Sequence, residues 1–260
     1  MKKMPLPATN GQLRSKVSDM QIGDYVKCWY SFHGTSGSLS DSPAGILVGL
    51  GTDTFSTAEE KPLAGESTTN NSKLFYFVKV AKGLLIADRV CQHSISWDAL
   101  NAGKVIQGNP YSFSTSSNIS QGYASSENIS GTLRSLTGGV AYADANENKT
   151  LDARLSNGTC FPVNNEYDKY LMGFPQSMIK NGYTVDDVFH YKVRFTTTQD
   201  TTMTGSRISS TGTIEVQDNT WRVGRGSEDN FPIWKGLGMG KTSIAYASTG
   251  FRPVFEYKEV

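Results

Sequence analysis

Long apolar runs are missing from this sequence. Nowhere do about 18 consecutive apolar residues occur, which excludes a membrane-spanning helix. Met1-Lys2-Lys3-Met4 is basic, but Pro5 and a polar stretch over 8–16 follow where a secretory signal needs an apolar segment. The expectation is a soluble protein made in the cytoplasm, with no membrane insertion. An excess of either charge is missing too: Lys and Arg number 25 against 24 Asp and Glu, and no dense basic run creates a local field. A nucleic-acid backbone is therefore an unsuitable partner. Cysteine spacing fits neither a disulfide framework nor a Cys-x-x-Cys metal site, because Cys28, Cys91 and Cys160 are odd in number and far apart. They read as buried free thiols. The Asn-x-Ser/Thr sequons at Asn70, Asn118, Asn128, Asn148 and Asn157 read as polar loops in a chain without a secretory signal.

What the chain has is 37% hydrophobic residues, enough for a real core, and 26 glycines among abundant Ser, Thr and Asn. Many short strands joined by turns follow from that composition. The stretch 23–32 reads as a strand with a turn before it, within a β-rich N-terminal arm over 1–51. A polar linker or exposed loop over 52–72 holds too few apolar residues to order itself. From Lys73 the aromatic and β-branched Leu74-Phe75-Tyr76-Phe77-Val78-Lys79-Val80 and then Gly83-Leu84-Leu85-Ile86 read as core strands.

Two short helices carry start and stop signals. One begins near Ser96, with Ser96 as cap, Ile95 stapled on Leu100 and Gly103 as stop. The other begins at Asn164, carries Glu166 in its first turn, aligns Tyr167, Tyr170 and Leu171, and stops at Gly173. Strands are expected over 191–198 and 212–223, and a strand pair over 243–257. Between them the stretch 226–242 reads as a loop, too glycine-rich for a regular element and too aromatic for solvent filler.

Trp221-Arg222-Val223-Gly224-Arg225-Gly226-Ser227 followed by Gly250-Phe251-Arg252-Pro253-Val254-Phe255-Glu256-Tyr257 resembles the C-terminal signature of the formylglycine-generating-enzyme branch of the C-type-lectin fold. Phe161-Pro162-Val163-Asn164-Asn165-Glu166-Tyr167-Asp168-Lys169-Tyr170 is similar to the helix start of that branch. The stretches 5–14, 85–90 and 93–101 resemble a narrower group, phage and prophage tail-associated proteins. The resemblance implies an α+β fold: a C-type-lectin-like domain over 73–260, made of short antiparallel strands and the two helices. It also implies that Arg225 and Arg252, in the two signature turns, are structural and meet a buried acid, for which Glu166 is the candidate.

The enzyme branch works through closely placed cysteines that bind copper near its C-terminal signature. Here Pro253 follows Arg252 and no cysteine lies after Cys160, so that chemistry is missing. His33, His93 and His190 are scattered with no nucleophile or metal motif around them, although His93, Ser94 and Asp98 lie close in sequence. Asp144, Asn146, Asn148 and Asp152 space oxygen donors as in a calcium loop, but Lys149 and Leu155 stand where such a loop has Gly and Glu. A solvated β-turn explains the same residues. For target recognition, Phe231, Trp234 and Met239, with Lys235 and Lys241 beside them, combine rigid aromatic area with glycine.

The resulting expectation is a non-enzymatic virion protein of the tail-fibre or receptor-binding type. Its arm attaches to other virion proteins, it forms a homo-oligomer such as a trimer, and it binds a host-surface glycan or protein. It needs no cofactor unless the 144–152 loop takes calcium. The alternative is a capsid or tail decoration protein with a structural role.

Overall fold

The computed structural model describes residues 6–31, 45–52, 59–67, 72–116, 124–226 and 237–259. Eight strands make the largest sheet: β1 (Leu13–Arg14), β2 (Tyr25–Ser31), β3 (Ile46–Val48), β4 (Ser72–Ala81), β5 (Leu84–Ala87), β7 (Asn109–Phe113), β8 (Ile129–Arg134) and β18 (Val254–Tyr257). In space they run β1-β2-β4-β5-β18-β8-β7, with β3 also paired to β2. Neighbours are antiparallel except for the parallel β1–β2 pair.

Its middle strands are apolar on both faces, so each face builds its own core. Val26, Cys28, Tyr30, Phe75, Phe77, Leu85, Ala87 and Phe255 pack on one side, together with Leu100 and Ile106. Tyr25, Trp29, Tyr76, Val78, Ile86 and Val254 pack on the other, against Tyr167, Leu171, Val188 and Phe189. The sheet is curled. Tyr111 of β7 reaches Leu47 of β3, its hydroxyl donating to the Leu47 carbonyl and accepting from the Leu47 N–H at 3.0 Å.

A second sheet of five strands comprises β6 (Gln92–His93), β12 (Phe195–Thr201), β15 (Trp221–Arg225), β16 (Leu237–Lys241) and β17 (Thr249–Phe251), in the order β16-β15-β12-β17-β6. Two smaller units flank it. One is β10 (Lys149–Thr150), β9 (Ala141–Ala143) and β11 (Cys160–Phe161); the other is a ribbon of β13 (Gly205–Ile208) and β14 (Ile214–Gln217). The expected strand pair over 243–257 is instead a hand-over: β17 belongs to the second sheet and β18 to the first, with Arg252 and Pro253 between them.

These observations overturn the α+β, lectin-like expectation. The protein is mostly β, with 39% strand against 12% helix, and its large sheet is curled and mixed. The helices stay short because their stops come early. Helix α1 (Trp97–Ala102) has Ser96 as cap, its hydroxyl accepting from the Ala99 N–H at 3.1 Å, and ends at Gly103. The segment read as starting at Asn164 forms a wide helix over Tyr167–Met172, where the Gly173 N–H reaches back five residues to the Asp168 carbonyl. Glu166 stands at its N-cap, and the preceding Asn165 accepts from the Asp168 N–H through its side-chain oxygen. A single further turn, Asp186–Phe189, packs on the same core.

Two other expectations change. Residues 25–31, read as part of an arm, are paired with β4 along the whole of β2, and Trp29 and Tyr30 are buried. In the stretch read as a polar linker, Lys61 is buried and Glu66 binds both Lys61 and Lys73, so charge pairing orders what apolar burial cannot. Residues 53–58 and 68–71 of that stretch lie outside the described residues.

Candidate functional site

The hairpin β15–β16 is the frame of a cleft among the described residues. Directly opposed residues share a face of the ribbon, so Arg222 and Gly240 stand together, as do Gly224 and Gly238. Three of these four positions lack a side chain, and two rings occupy the room. A Cβ on Gly238 would sit 2.7 Å from the Phe195 ring, and one on Gly240 would sit 2.6 Å from the Tyr246 ring. The glycines are therefore required by close packing and not by chain flexibility.

Beside Gly240, Arg222 sits over the Trp97 ring, its guanidinium carbon 4.2 Å from the ring centroid. Both partners are fixed. The Trp97 indole donates to the Thr198 carbonyl at 3.1 Å, and Arg222 Nη1 donates to the Asn219 and Trp221 carbonyls at 2.8 and 3.1 Å. Burial holds Arg222 below its ordinary pKa, partly countered by Asp98.

On the opposite face of the ribbon, Trp221, Val223, Met239 and Lys241 line the cleft together with residues of the β13–β14 hairpin. There Arg207 Nη2 pairs with Glu215 at 2.6 Å and Nη1 donates to the Tyr142 hydroxyl at 3.0 Å. Gln217 is only 4% exposed, and its Oε1 has no hydrogen-bond partner. Because β16 is an edge strand, the cleft takes lining residues from both faces of the ribbon, with a volume of about 520 Å³. Aromatic faces, a fixed guanidinium, an amide and a carboxylate around one concavity are the equipment of a site for a polar molecule with an apolar face.

Of the residues expected to recognise a target, Met239 and Lys241 line this cleft. Phe231, Trp234 and Lys235 lie outside the described residues. The stretch 237–241, read as part of a loop, is the regular strand β16. Trp97, Phe195, Arg222 and Tyr246 were not singled out as site residues by the sequence. The available signal was the Leu237-Gly238-Met239-Gly240-Lys241 alternation, which puts glycine on one face of a strand.

The signature residues come together differently from the expectation. Arg225 is buried and pairs with Asp168, at 2.7 Å from Nη2 and 3.1 Å from Nη1, and packs 4.5 Å from the Tyr167 ring. Glu166 does not meet it. Its carboxylate takes both Nη atoms of Arg134 and the Thr137 N–H, because Glu166 and Asp168 project from the helix in different directions. Arg252 is buried among neutral acceptors, Thr196 Oγ1 at 3.0 Å and the Ala87 carbonyl at 2.8 Å.

The 144–152 segment is a turn from β9 into β10. Asp144 Oδ1 accepts from the N–H groups of Asn146 and Asn148, and Asp152 binds Arg154. Among the described residues no group of three or more His, Cys, Asp or Glu side chains is placed to hold a metal ion. His93 Nδ1 contacts the Ser94 hydroxyl at 2.9 Å, while His190 lies apart in the second core; His33 is outside the described residues. No protein-family model, curated protein or solved structure matches the chain.

Proposed function

We propose that this chain is a non-enzymatic virion protein that attaches to a host-cell surface, with the cleft around β15–β16 holding a saccharide of that surface. The observation that carries the reading is the row Trp97, Arg222, Tyr246. The Tyr246 ring at the cleft suits the C–H face of a sugar ring, and the guanidinium fixed on Trp97 suits its hydroxyls. Placement in a virion tail rests on the resemblance of 5–14, 85–90 and 93–101 to tail-associated proteins. Attachment then draws on assembly with other virion proteins and on repeated copies of a weak site.

The test is adsorption. Purified protein is applied to host cells, and Tyr246→Ala is compared with the unaltered chain at matched folding. Loss of adsorption supports the reading; full adsorption by a folded Tyr246→Ala removes the cleft from it. One observation favours the decoration reading instead: Ile214 and Val216, on the outer face of the β13–β14 ribbon, are 66% and 74% exposed, an apolar pair suited to a lattice neighbour. Imaging the chain in a particle separates the two.

A further inference from the structure

The charged side chains that line the cleft directly are mostly cationic. Among the described residues it is lined by Arg207, Arg222 and Lys241 against the single carboxylate of Glu215, and Glu215 is already joined to Arg207. Asp98 and Asp218 bring negative charge near Arg222 and Lys241, but among the described residues neither forms an ion pair with them. Asp98 favours the charged form of Arg222 without a hydrogen bond to it, and Asp218, which accepts from the N–H and hydroxyl of Thr220, keeps a charge felt by Lys241, so the lining is positive only in its direct contacts. Arg222 has only carbonyl oxygens for partners, and its Nε is buried with no hydrogen-bond partner at all.

A guanidinium held this way is prepared for an anion. It packs over the Trp97 ring, the indole is itself tied to Thr198, and Nη1 is anchored on two carbonyls, so little side-chain freedom remains to be lost when a ligand arrives. Guanidinium forks match the paired oxygens of carboxylate and phosphate, and gain more from them than from neutral hydroxyls. Gly240, directly opposite Arg222, packs against the Tyr246 ring, and both Arg222 and Tyr246 line the cleft.

The geometry points to an anionic saccharide as the occupant of this cleft, its carboxylate or phosphate on Arg222 and its sugar ring on Tyr246. The inference rests on the attachment reading for the saccharide and on the residues above for the charge. Lys241, at the exposed end of β16, adds to the local field without touching the anion.

Calorimetric titration with three probes of similar length tests it: maltotetraose, tetragalacturonate and a glycerol-phosphate tetramer. The expected result is that at least one anionic probe binds about tenfold or more tighter than maltotetraose at low salt, with the advantage shrinking as ionic strength rises. Which of the two does so separates a carboxylate from a phosphate ligand. Arg222→Gln is expected to erase the preference and Arg222→Lys, which keeps the charge but loses the fork, to restore part of it. Should Arg222→Gln fold poorly, Arg222→Lys against the unaltered protein carries the comparison. Equal binding of maltotetraose overturns the charge selection and leaves saccharide attachment standing. Failure of all three overturns the inference, and adsorption by Tyr246→Ala then decides whether attachment by this cleft falls with it.

Discussion

Asp168 and Arg225 face each other through two oxygen–nitrogen contacts, 2.7 and 3.1 Å long, in a region where the arginine is fully buried. The same carboxylate also accepts from the Cys160 N–H and the Asn165 amide. It thereby ties the helix 167–172 to β11 and β15 at once. Asp168→Asn leaves a guanidinium without its counter-charge, and a loss of about 3–5 kcal/mol is expected. Glu166→Gln costs less, because Arg134 is partly solvated and keeps Glu256. Urea unfolding of the two variants checks the order; equal midpoints contradict it.

Gly240→Ala drives a methyl group into the Tyr246 ring and Gly238→Ala drives one into Phe195. Both rings sit at the cleft, so ligand binding is expected to fall more than stability does, with a cost of about 1–3 kcal/mol from overpacking. Shifts of the ring resonances in an NMR spectrum report the displacement directly. Unchanged spectra and binding show that the strand can move aside.

All three cysteines are buried, and burial raises each thiol above its ordinary range, Cys160 to about 12. A thiolate is the reactive species, so a disulfide reagent at neutral pH is expected to find almost none in the folded protein. In denaturant it finds three. Fast labelling of the native protein marks a local opening of one core.

Burial and the nearby Arg194 depress His93 to about 4, and burial lowers His190 as well. Both rings are held neutral in the fold, whereas an unfolded histidine titrates near 6.5. Their contribution is complete above about pH 6.5 and is lost as pH falls toward 4, because the unfolded chain binds the proton more readily. The melting temperature is expected to decline across that window, before the carboxylates protonate, and His93→Gln is expected to flatten the decline. An unaltered slope in His93→Gln assigns it to His190 or to other groups.

Local chemistry was legible and partnership was not. β4 and β5 announce themselves through aromatic and β-branched residues, and α1 through its Ser96 cap, because those signals act within a few residues. The position of β2 is a different matter. With both faces covered, Tyr25-Val26-Lys27-Cys28-Trp29-Tyr30 has no clean alternation and names no neighbour, so it passed for a separable arm. Asp168 was missed by two positions: both acids lie on the same short helix, and only its rotation decides which one meets Arg225. The aromatic row of the cleft joins residues near 97, 195, 222 and 246, which no local pattern connects.

The seat of β18 has a consequence for how the chain is made. Residues 254–257 hold β5 on one side and β8 on the other, so the backbone ladder between the two halves of the largest sheet is completed only by this strand. A ribosome has already delivered more than two hundred residues by then. During that interval the facing edges of β5 and β8 stand open, each a template for a stray strand from a neighbouring nascent chain. β18 is the keystone of the sheet, and until it arrives two edges that end up buried are open to the wrong partner.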